Sequence, residues 1–191
     1  GYEVECNENS LAFLSVADFL FNRVQEPLAL HPLAHVFSET YDYEDQYLQV
    51  QVPSPQPQEL MKAKGSAKGL RMTAGDFVEL YKKGGQAHRK FDAIVTCFFI
   101  DTCDDLIDYI ETMDSMLEEG GIWINLGPLN YKKEMKLKLS WKEVESIWES
   151  LGYQFLESSR LHTAYHVPAG KRLYTEQYDT AFTVCKKTRK S

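Results

Sequence analysis

The order of hydrophobic and polar positions is most regular between Phe91 and Tyr131. Its first part, Phe91 to Ile100, is an almost unbroken apolar run rich in aromatic and β-branched residues, which is typical of a strand covered on both faces. Apolar residues then recur at helical spacing until Gly120-Gly121, a pair that predicts the end of a helix. A second apolar run begins at Ile122. The stretch therefore predicts two parallel strands joined by a helix.

Polar residues follow both of these strands. Asp101 comes directly after the first strand, and Asn125, Asn130 and Tyr131 come at the end of the second. In an open α/β sheet, ligands bind beyond the carboxyl ends of the strands. We therefore expect these side chains to line one crevice.

Two helices have recognisable beginnings. Thr102 with Asp105 three positions later is close to a capping box and predicts a helix start, so helix capping is an alternative role for the neighbouring Asp101. Ser140 with Glu143 predicts a second helix that runs to Leu151. Two further strands are expected after it, at residues 153–161 and 180–186, joined by a loop that contains Pro168 and Gly170.

The first residues predict a short strand and a helix. Alternation between residues 2 and 6 is typical of a strand, Glu8 lies at its carboxyl end, and Ser10 can cap the helix that follows. Residues 10–24 are apolar on nearly all sides, which predicts a helix buried between other elements. Glu8 has two interpretations that the residues alone leave open. It is either a solvated turn carboxylate or an acceptor for the hydroxyls of a bound ribose.

The middle of the chain has a different composition. Residues 38–69 contain several tyrosines and acids, then VPSPQPQ, then a basic segment. They predict a long, partly extended excursion that is either a mobile flap over the site or disordered. A short strand and turn follow, ending at Asp76, which is either the N-cap of a small helix or an acceptor for the adenine amino group.

Composition narrows the class of protein. A length of 191 residues predicts one domain, and 43% hydrophobic residues suffice for a core. The net charge of −7 argues against nucleic acid as a partner, although the basic C-terminus leaves RNA binding or nuclear targeting as an alternative to a solvated tail.

The four cysteines lack CxxC spacing and are expected to be reduced. We expect no metal, because His31 and His35 have no acidic partner nearby, and no membrane segment, so the expected location is cytoplasmic.

Longer strings carry a resemblance to a known family. The strings TAGDF, TCFFIDT, IDYIET and GGIWINLGPL resemble the carnosine N-methyltransferase family of class I S-adenosylmethionine-dependent methyltransferases. The resemblance implies a Rossmann-like α/β fold with a mostly parallel sheet and an antiparallel last strand. It implies S-adenosylmethionine as cofactor and an imidazole nitrogen of a small histidine-containing peptide as methyl acceptor. No GxGxG occurs in the chain, so we expect the first strand and its glycine-rich loop to be missing from the single methyltransferase domain.

The resemblance also implies roles for individual residues. Cofactor binding falls to Glu8 at the ribose and to Asp76 and Phe77 at the adenine. Acceptor binding falls to Phe98, Asp101, Tyr131, Lys132 and Tyr178, of which Asp101 and Tyr178 are the candidates for catalysis. For Tyr178, an ordinary tyrosine at the edge of a sheet is the alternative.

Two positions depart from the family pattern. Lys132 follows Tyr131 where relatives carry a histidine, and Glu176 stands where a tyrosine is expected. Lysine is a cation and is able to pair with a substrate carboxylate, so we expect it to change the choice of acceptor. The departures also keep a second hypothesis open, namely a catalytically inactive relative that acts as a binding or dimerisation module. A homodimer is compatible with both hypotheses.

Overall fold

The computed structural model describes residues 2–24, 26–52, 69–135, 137–165 and 172–188. It contains two compact units, Gly1–Asp76 with His166–Glu176, and Phe77–Tyr165 with Gln177–Ser191. The single domain expected from the length stays a prediction. Most of the second half of the expected excursion, residues 53–68, lies outside the described residues, as do Pro168 and Gly170.

In the part of the first unit that the structure describes, short strands accompany one α-helix. In chain order these are β1 (Val4–Glu8), α1 (Leu11–Asp18, continued by a π-helical turn over Phe19–Arg23), β2 (Leu28–Leu30), β3 (Val50–Val52) and β4 (Leu70–Ala74). A 3₁₀ turn lies between β2 and β3 at Tyr43–Tyr47. Strands β1 and β4 are parallel, and β2 and β3 are antiparallel. The pairing of β1 with β4 brings the carboxyl ends of two parallel strands together.

The second unit contains the four-stranded sheet. Its elements are α2 (Phe77–Tyr81), β5 (Phe91–Cys97), α3 (Leu106–Met116), β6 (Leu117–Gly127), α4 (Trp141–Ser150), β7 (Tyr153–Ala164) and β8 (Gln177–Lys187). The strand order is β5-β6-β8-β7, with β5 and β6 parallel and β8 antiparallel to both β6 and β7. The expected α/β fold with parallel strands and an antiparallel last strand is therefore confirmed.

Stacked aromatic rings join helix α4 to one face of this sheet. Trp123 of β6 and Trp148 of α4 are both fully buried and stack with ring centroids 4.5 Å apart. The predicted capping box of Ser140 and Glu143 is present at the start of α4. The predicted apolar stripe of α3 is buried as well, at Leu106, Ile110 and Met113.

The ends of α3 differ from the prediction. The helix begins at Leu106, and its N-cap is Asp105, whose carboxylate accepts from the Ile107 amide at 2.8 Å. The predicted start at Thr102 is wrong, because Ile100–Thr102 forms a 3₁₀ turn. At the other end the helix stops at Met116, since Leu117 is fully buried and already pairs with β5. Gly120, with φ of 80°, therefore lies inside β6 rather than capping the helix.

Two expectations of burial are also wrong. None of the described residues of α1 is buried, and Leu11 is 78% exposed. In β5, Val95 keeps 68% of its surface exposed, so this strand is not covered on both faces by the part of the chain that the structure describes. Apolar periodicity indicates which side chains favour burial, but it does not identify the element that covers them.

Within the described ranges, no helix is both long enough and apolar enough to cross a membrane.

Candidate functional site

The end of strand β5 has an unusual backbone conformation. Phe98 has φ of 48°, a value that bulky residues rarely adopt, and its amide donates to the carbonyl of Leu126 at 2.8 Å. A Cβ atom at Gly127 would lie 3.1 Å from the Phe98 nitrogen and 3.2 Å from its Cα, so the two strand ends approach as closely as glycine allows. Strained positions of this kind cost about 1–3 kcal/mol and often occur at functional sites.

The Phe98 ring belongs to an aromatic cluster formed by Phe98, Tyr165 and Tyr178. The ring centroids are 5.2 Å apart for Phe98 and Tyr165, 5.6 Å for Phe98 and Tyr178, and 5.8 Å for Tyr165 and Tyr178. The structure thus brings together two of the predicted acceptor residues, Phe98 and Tyr178. Tyr165, which directly follows β7, was not among the predicted site residues. A signal was present, because a strand pairing that aligns Thr163 with Tyr178 carries Tyr165 towards the same end.

Asp101 is buried next to this strand end. Its side chain is 7% exposed, and Oδ2 accepts from the Asn130 amide at 2.8 Å. The carboxylate therefore ties the segment after β5 to the segment after β6. The alternative role of Asp101 as a helix cap is wrong, since Asp105 occupies the N-cap of α3.

Asn125 does not line a crevice, contrary to expectation. It is fully buried within the sheet, where its Oδ1 accepts from Thr96 Oγ1 at 2.9 Å and its Nδ2 donates to the Ala181 carbonyl at 3.1 Å. The Trp123 indole donates to the same Thr96 hydroxyl at 2.9 Å. These bonds join β5, β6 and β8, so Asn125 fixes the register of the strands.

Tyr131 and Cys103 pack near Asp101. The Tyr131 hydroxyl donates to the Leu139 carbonyl at 2.9 Å, and burial raises the pKa of this phenol to about 12, with Cys103 and Asp101 adding to the shift. Burial likewise raises the pKa of the Cys103 thiol to about 12, with the charges of Asp105 and Asp101 adding to the shift. Both groups are therefore protonated at neutral pH.

Lys132 forms an ion pair with Asp104. The distance from Lys132 Nζ to Asp104 Oδ1 is 3.1 Å, and the two side chains are 53% and 97% exposed. This pair joins the segment after β5 to the segment after β6 a second time, after the bond between Asp101 and Asn130. It lies on the surface, whereas Asp101 is buried.

In the first unit, Glu8 lies at the carboxyl end of β1. Its Oε1 accepts from the amides of Asn9 at 2.8 Å and Ser10 at 2.6 Å. Ser10 occupies the N-cap position of α1, but its side chain makes no capping bond, so the predicted cap is wrong. The Glu8 carbonyl accepts from Gly75 at 2.9 Å, which holds together the strand ends of β1 and β4.

Asp76 and Phe77 follow strand β4. Asp76 is exposed and directly precedes α2. Phe77 is 8% exposed, and its ring contacts Phe99 and Tyr109, each at a centroid distance of 5.3 Å. Most of the Phe77 surface is thus used in the core of the second unit, and its role at an adenine ring stays a prediction.

Among the described residues, no group of three or more His, Cys, Asp or Glu side chains is arranged to hold a metal ion. His31 lies in the first unit, with its Nδ1 3.1 Å from the Tyr47 carbonyl.

Comparison with known proteins identifies the family. The model of the family described as carnosine N-methyltransferase matches residues 1–189. The carnosine N-methyltransferase of Mus musculus is 37% identical over 161 residues, which cover 81% of this chain and 38% of the mouse protein. The carnosine N-methyltransferase of Schizosaccharomyces pombe is 30% identical over 182 residues, covering 86% of this chain and 48% of the yeast protein. The chain belongs to the carnosine N-methyltransferase family.

The chain spans less than half the length of these relatives. Among solved structures, TehB from Haemophilus influenzae is similar over 69% of this chain and 45% of its own, with 15% sequence identity and a TM-score of 0.47. Because that likeness is weak, the assignment to the family rests on the sequence matches.

Proposed function

We propose that this chain takes part in S-adenosylmethionine-dependent methylation of an imidazole nitrogen in a small histidine-containing peptide such as carnosine. The observation that carries the proposal is Asp101, a buried carboxylate at the carboxyl end of β5 with one oxygen held by the Asn130 amide. The aromatic cluster begins three residues earlier in the chain, at Phe98. A fixed carboxylate near aromatic rings suits a planar ring that carries an N–H donor.

The donor groups of the first unit fit the cofactor. Glu8 and Asp76 end two neighbouring parallel strands and offer carboxylate oxygens, which match the hydroxyl and amino donors of a nucleoside. Glu8 commits Oε1 to backbone amides, which orients its carboxylate. When bound, S-adenosylmethionine supplies a methyl group carried on a sulfonium. Glu8 and Asp76 are the residues of this unit that would hold it.

Asp101 would act on the acceptor ring. By accepting the N–H of one imidazole nitrogen, its carboxylate fixes the tautomer in which the other nitrogen keeps its lone pair. That nitrogen would then be free to accept the methyl group that the bound cofactor supplies. The Asp101 carboxylate would stabilise the positive charge that the ring gains, until the N–H proton passes to water. Positioning supplies much of the rate in such a displacement.

Tyr178 and Phe98 would hold the plane of the ring. The two rings contact each other edge to face, and aromatic pairs contribute about 0.5–1.5 kcal/mol beyond simple burial. Tyr131 commits its hydroxyl to a backbone carbonyl, so its contribution to acceptor binding would come from the ring.

The proposal is tested by methyl transfer from radiolabelled S-adenosylmethionine to a panel of histidine dipeptides, using the full-length gene product. Asp101→Asn should abolish turnover while binding of S-adenosylhomocysteine, measured by calorimetry, changes little. Asp108→Asn, which alters an exposed carboxylate on α3, serves as the matched control and should keep parental turnover. Full turnover in Asp101→Asn would show that the site is wrong. Absence of transfer by the parent would favour an inactive binding module.

The cofactor assignment has its own test. Glu8→Ala and Asp76→Ala should each weaken binding of S-adenosylhomocysteine by about 1–3 kcal/mol, the usual cost of leaving a buried partner unsatisfied. Glu8→Gln separates folding from binding, because the amide oxygen still accepts from Asn9 and Ser10 while the charge is lost. Unchanged affinity in both alanine variants would overturn the assignment.

A further inference from the structure

The segments that follow β5 and β6 are joined by one buried bond and one surface bond. The buried bond links the Asp101 carboxylate to the Asn130 amide at 2.8 Å. The surface bond links Lys132 Nζ to Asp104 Oδ1 at 3.1 Å. Each bond takes one partner from each segment, and in both cases the carboxylate comes from the segment after β5.

The surface pair is weakly held. Asp104 is 97% exposed and Lys132 is 53% exposed, so water competes for both charges. Pairs of this kind contribute about 0–1 kcal/mol, because solvent screening and the entropy of two long side chains offset the attraction. A lysine ammonium on a flexible stem therefore changes its partner at little cost when another carboxylate is presented nearby.

Lys132 lies close enough to Asp101 to act on the same ligand. Asp101 accepts from the amide of Asn130, which lies two residues before Lys132. Lys132 in turn pairs with Asp104, which lies three residues after Asp101. In a peptide that ends in histidine, the α-carboxylate is only a few bonds from the imidazole ring. A ring held by Asp101 would thus carry a carboxylate into the surroundings of Lys132.

We propose that Lys132 determines acceptor specificity by binding the α-carboxylate of the acceptor histidine, and that Asp104 is the exchangeable partner that this carboxylate displaces. The proposal rests on the proposed function. Asp104 then competes with the substrate for Lys132, so it limits the preference that Lys132 creates. Acceptors that lack the carboxylate gain nothing from the exchange.

The test compares two acceptors that share the same imidazole. Carnosine carries the α-carboxylate, and β-alanylhistamine lacks it. The measured quantity is the ratio of their kcat/KM values for the full-length gene product. The parent should prefer carnosine by roughly fivefold, the effect of one exposed charge pair. Lys132→Met should bring the ratio close to one by raising KM for carnosine, and Lys132→Arg should restore the preference.

Asp104→Asn supplies the opposite change. It frees Lys132 from its partner, so the preference for carnosine should rise above that of the parent. Added NaCl should lower the preference in the parent and leave the Lys132→Met ratio unchanged, a response that a purely structural role would not give. Lys133→Met, which removes the neighbouring charge, is the matched control and should keep the parental ratio.

The outcomes separate the two proposals. If the parent methylates both acceptors and Lys132→Met leaves the ratio unchanged, the specificity role is overturned while the proposed function stands. If Asp104→Asn lowers the preference, the exchange is overturned as well. If the parent methylates no histidine dipeptide at all, the proposed function fails, and the specificity role fails with it.

Discussion

Two lysine–aspartate ion pairs lie at opposite ends of strand β6. Their N–O distances are similar, but they differ in burial and in the number of other hydrogen-bond partners. Lys187 Nζ is 2.9 Å from Asp114 Oδ1, and Lys132 Nζ is 3.1 Å from Asp104 Oδ1. The side chains of the first pair are 12% and 30% exposed, and those of the second are 53% and 97% exposed. Burial and the number of partners, rather than the distance, decide how much each pair contributes to stability.

The pair of Lys187 and Asp114 belongs to a hydrogen-bond network of partly buried groups, called here the Lys187 network. Lys187 Nζ also donates to the carbonyls of Asp114 at 2.6 Å and Leu117 at 3.3 Å, where α3 ends and β6 begins. The Tyr153 hydroxyl donates to Asp114 Oδ1 at 2.9 Å, and burial together with Asp114 raises the pKa of this phenol. A cation at the last carbonyls of a helix is favourable. This end of the sheet is therefore held by several bonds to partly buried groups, whereas the pair at the other end is single and exposed.

The largest expected effect on stability comes from breaking the Lys187 network. Lys187→Met should lower the free energy of unfolding by about 2–3 kcal/mol, because it leaves a partly buried carboxylate without its cation. Urea denaturation followed by circular dichroism measures this change. A loss below about 0.5 kcal/mol would mean that this pair, too, behaves like an exposed one.

A smaller effect is expected from the tight contact between Gly127 and Phe98 at the other end of β6. Gly127→Ala places a methyl group 3.1 Å from the Phe98 nitrogen and should cost about 1–2 kcal/mol, since backbone rather than a flexible side chain must move. It should also reduce methyl transfer, because Phe98 carries the aromatic cluster. Gly69→Ala is the matched control, with open space around the added Cβ. Equal stability of the two variants would contradict the close approach of the strand ends.

The exposed pair should hardly affect folding. Lys132→Met and Asp104→Asn should each change the free energy of unfolding by less than about 0.5 kcal/mol. The same urea denaturation as for Lys187→Met gives a direct comparison. If either variant lost more than about 1 kcal/mol, the pair would be structural and the contrast between the two ends of β6 would disappear.

The smallest effect concerns a third pair, between His162 and Asp179 on β7 and β8. Hydrogen bonds to Asp179 and Gln177 raise the pKa of His162, and the bond from His162 lowers the pKa of Asp179. The raised histidine contributes stability that is present below its unfolded pKa of about 6.5 and is lost as pH rises through the folded value. The lowered aspartate contributes stability above its unfolded pKa of about 3.9, which is lost as pH falls through the folded value.

The pair should therefore be most effective between these two limits, near pH 5. Thermal melts of the parent and His162→Gln across pH 4–8 should differ slightly at pH 5, and the difference should shrink as the pH rises past the folded pKa of His162. Both side chains are exposed, and Arg160 also contacts Asp179 at 3.0 Å, so the difference should be small. A difference that grows with pH would contradict the direction of the His162 shift.

The sequence predicted the elements better than their ends. The parallel strands β5 and β6 and the capping box of α4 are local patterns of spacing, and they are confirmed. The helix ends at Thr102 and Gly120 were wrong, because pairing of Leu117 with β5 and the turn at Ile100–Thr102 depend on contacts that spacing does not encode. Asn125 was misplaced for the same reason, since its polarity is satisfied inside the sheet.

The candidate site was predictable only in part. Asp101, Phe98 and Tyr178 were predicted from their positions at strand ends and from the family resemblance, and the structure brings Phe98 and Tyr178 into contact. Their roles at an acceptor stay predictions. The contribution of Tyr165 depends on the register of β7 against β8. The partner of Lys132 depends on the path of two irregular segments. Neither can be obtained from periodicity.

The left-handed backbone of Phe98 has a consequence for evolution in the laboratory. A glycine or asparagine at this position would adopt φ of 48° more readily, so either substitution recovers part of the conformational energy while the lost ring removes packing. Selection for thermal stability alone would not retain the phenylalanine, whereas selection for turnover would. If one library were selected separately for thermal stability and for turnover, the two sets of variants should therefore differ first in the residue at position 98.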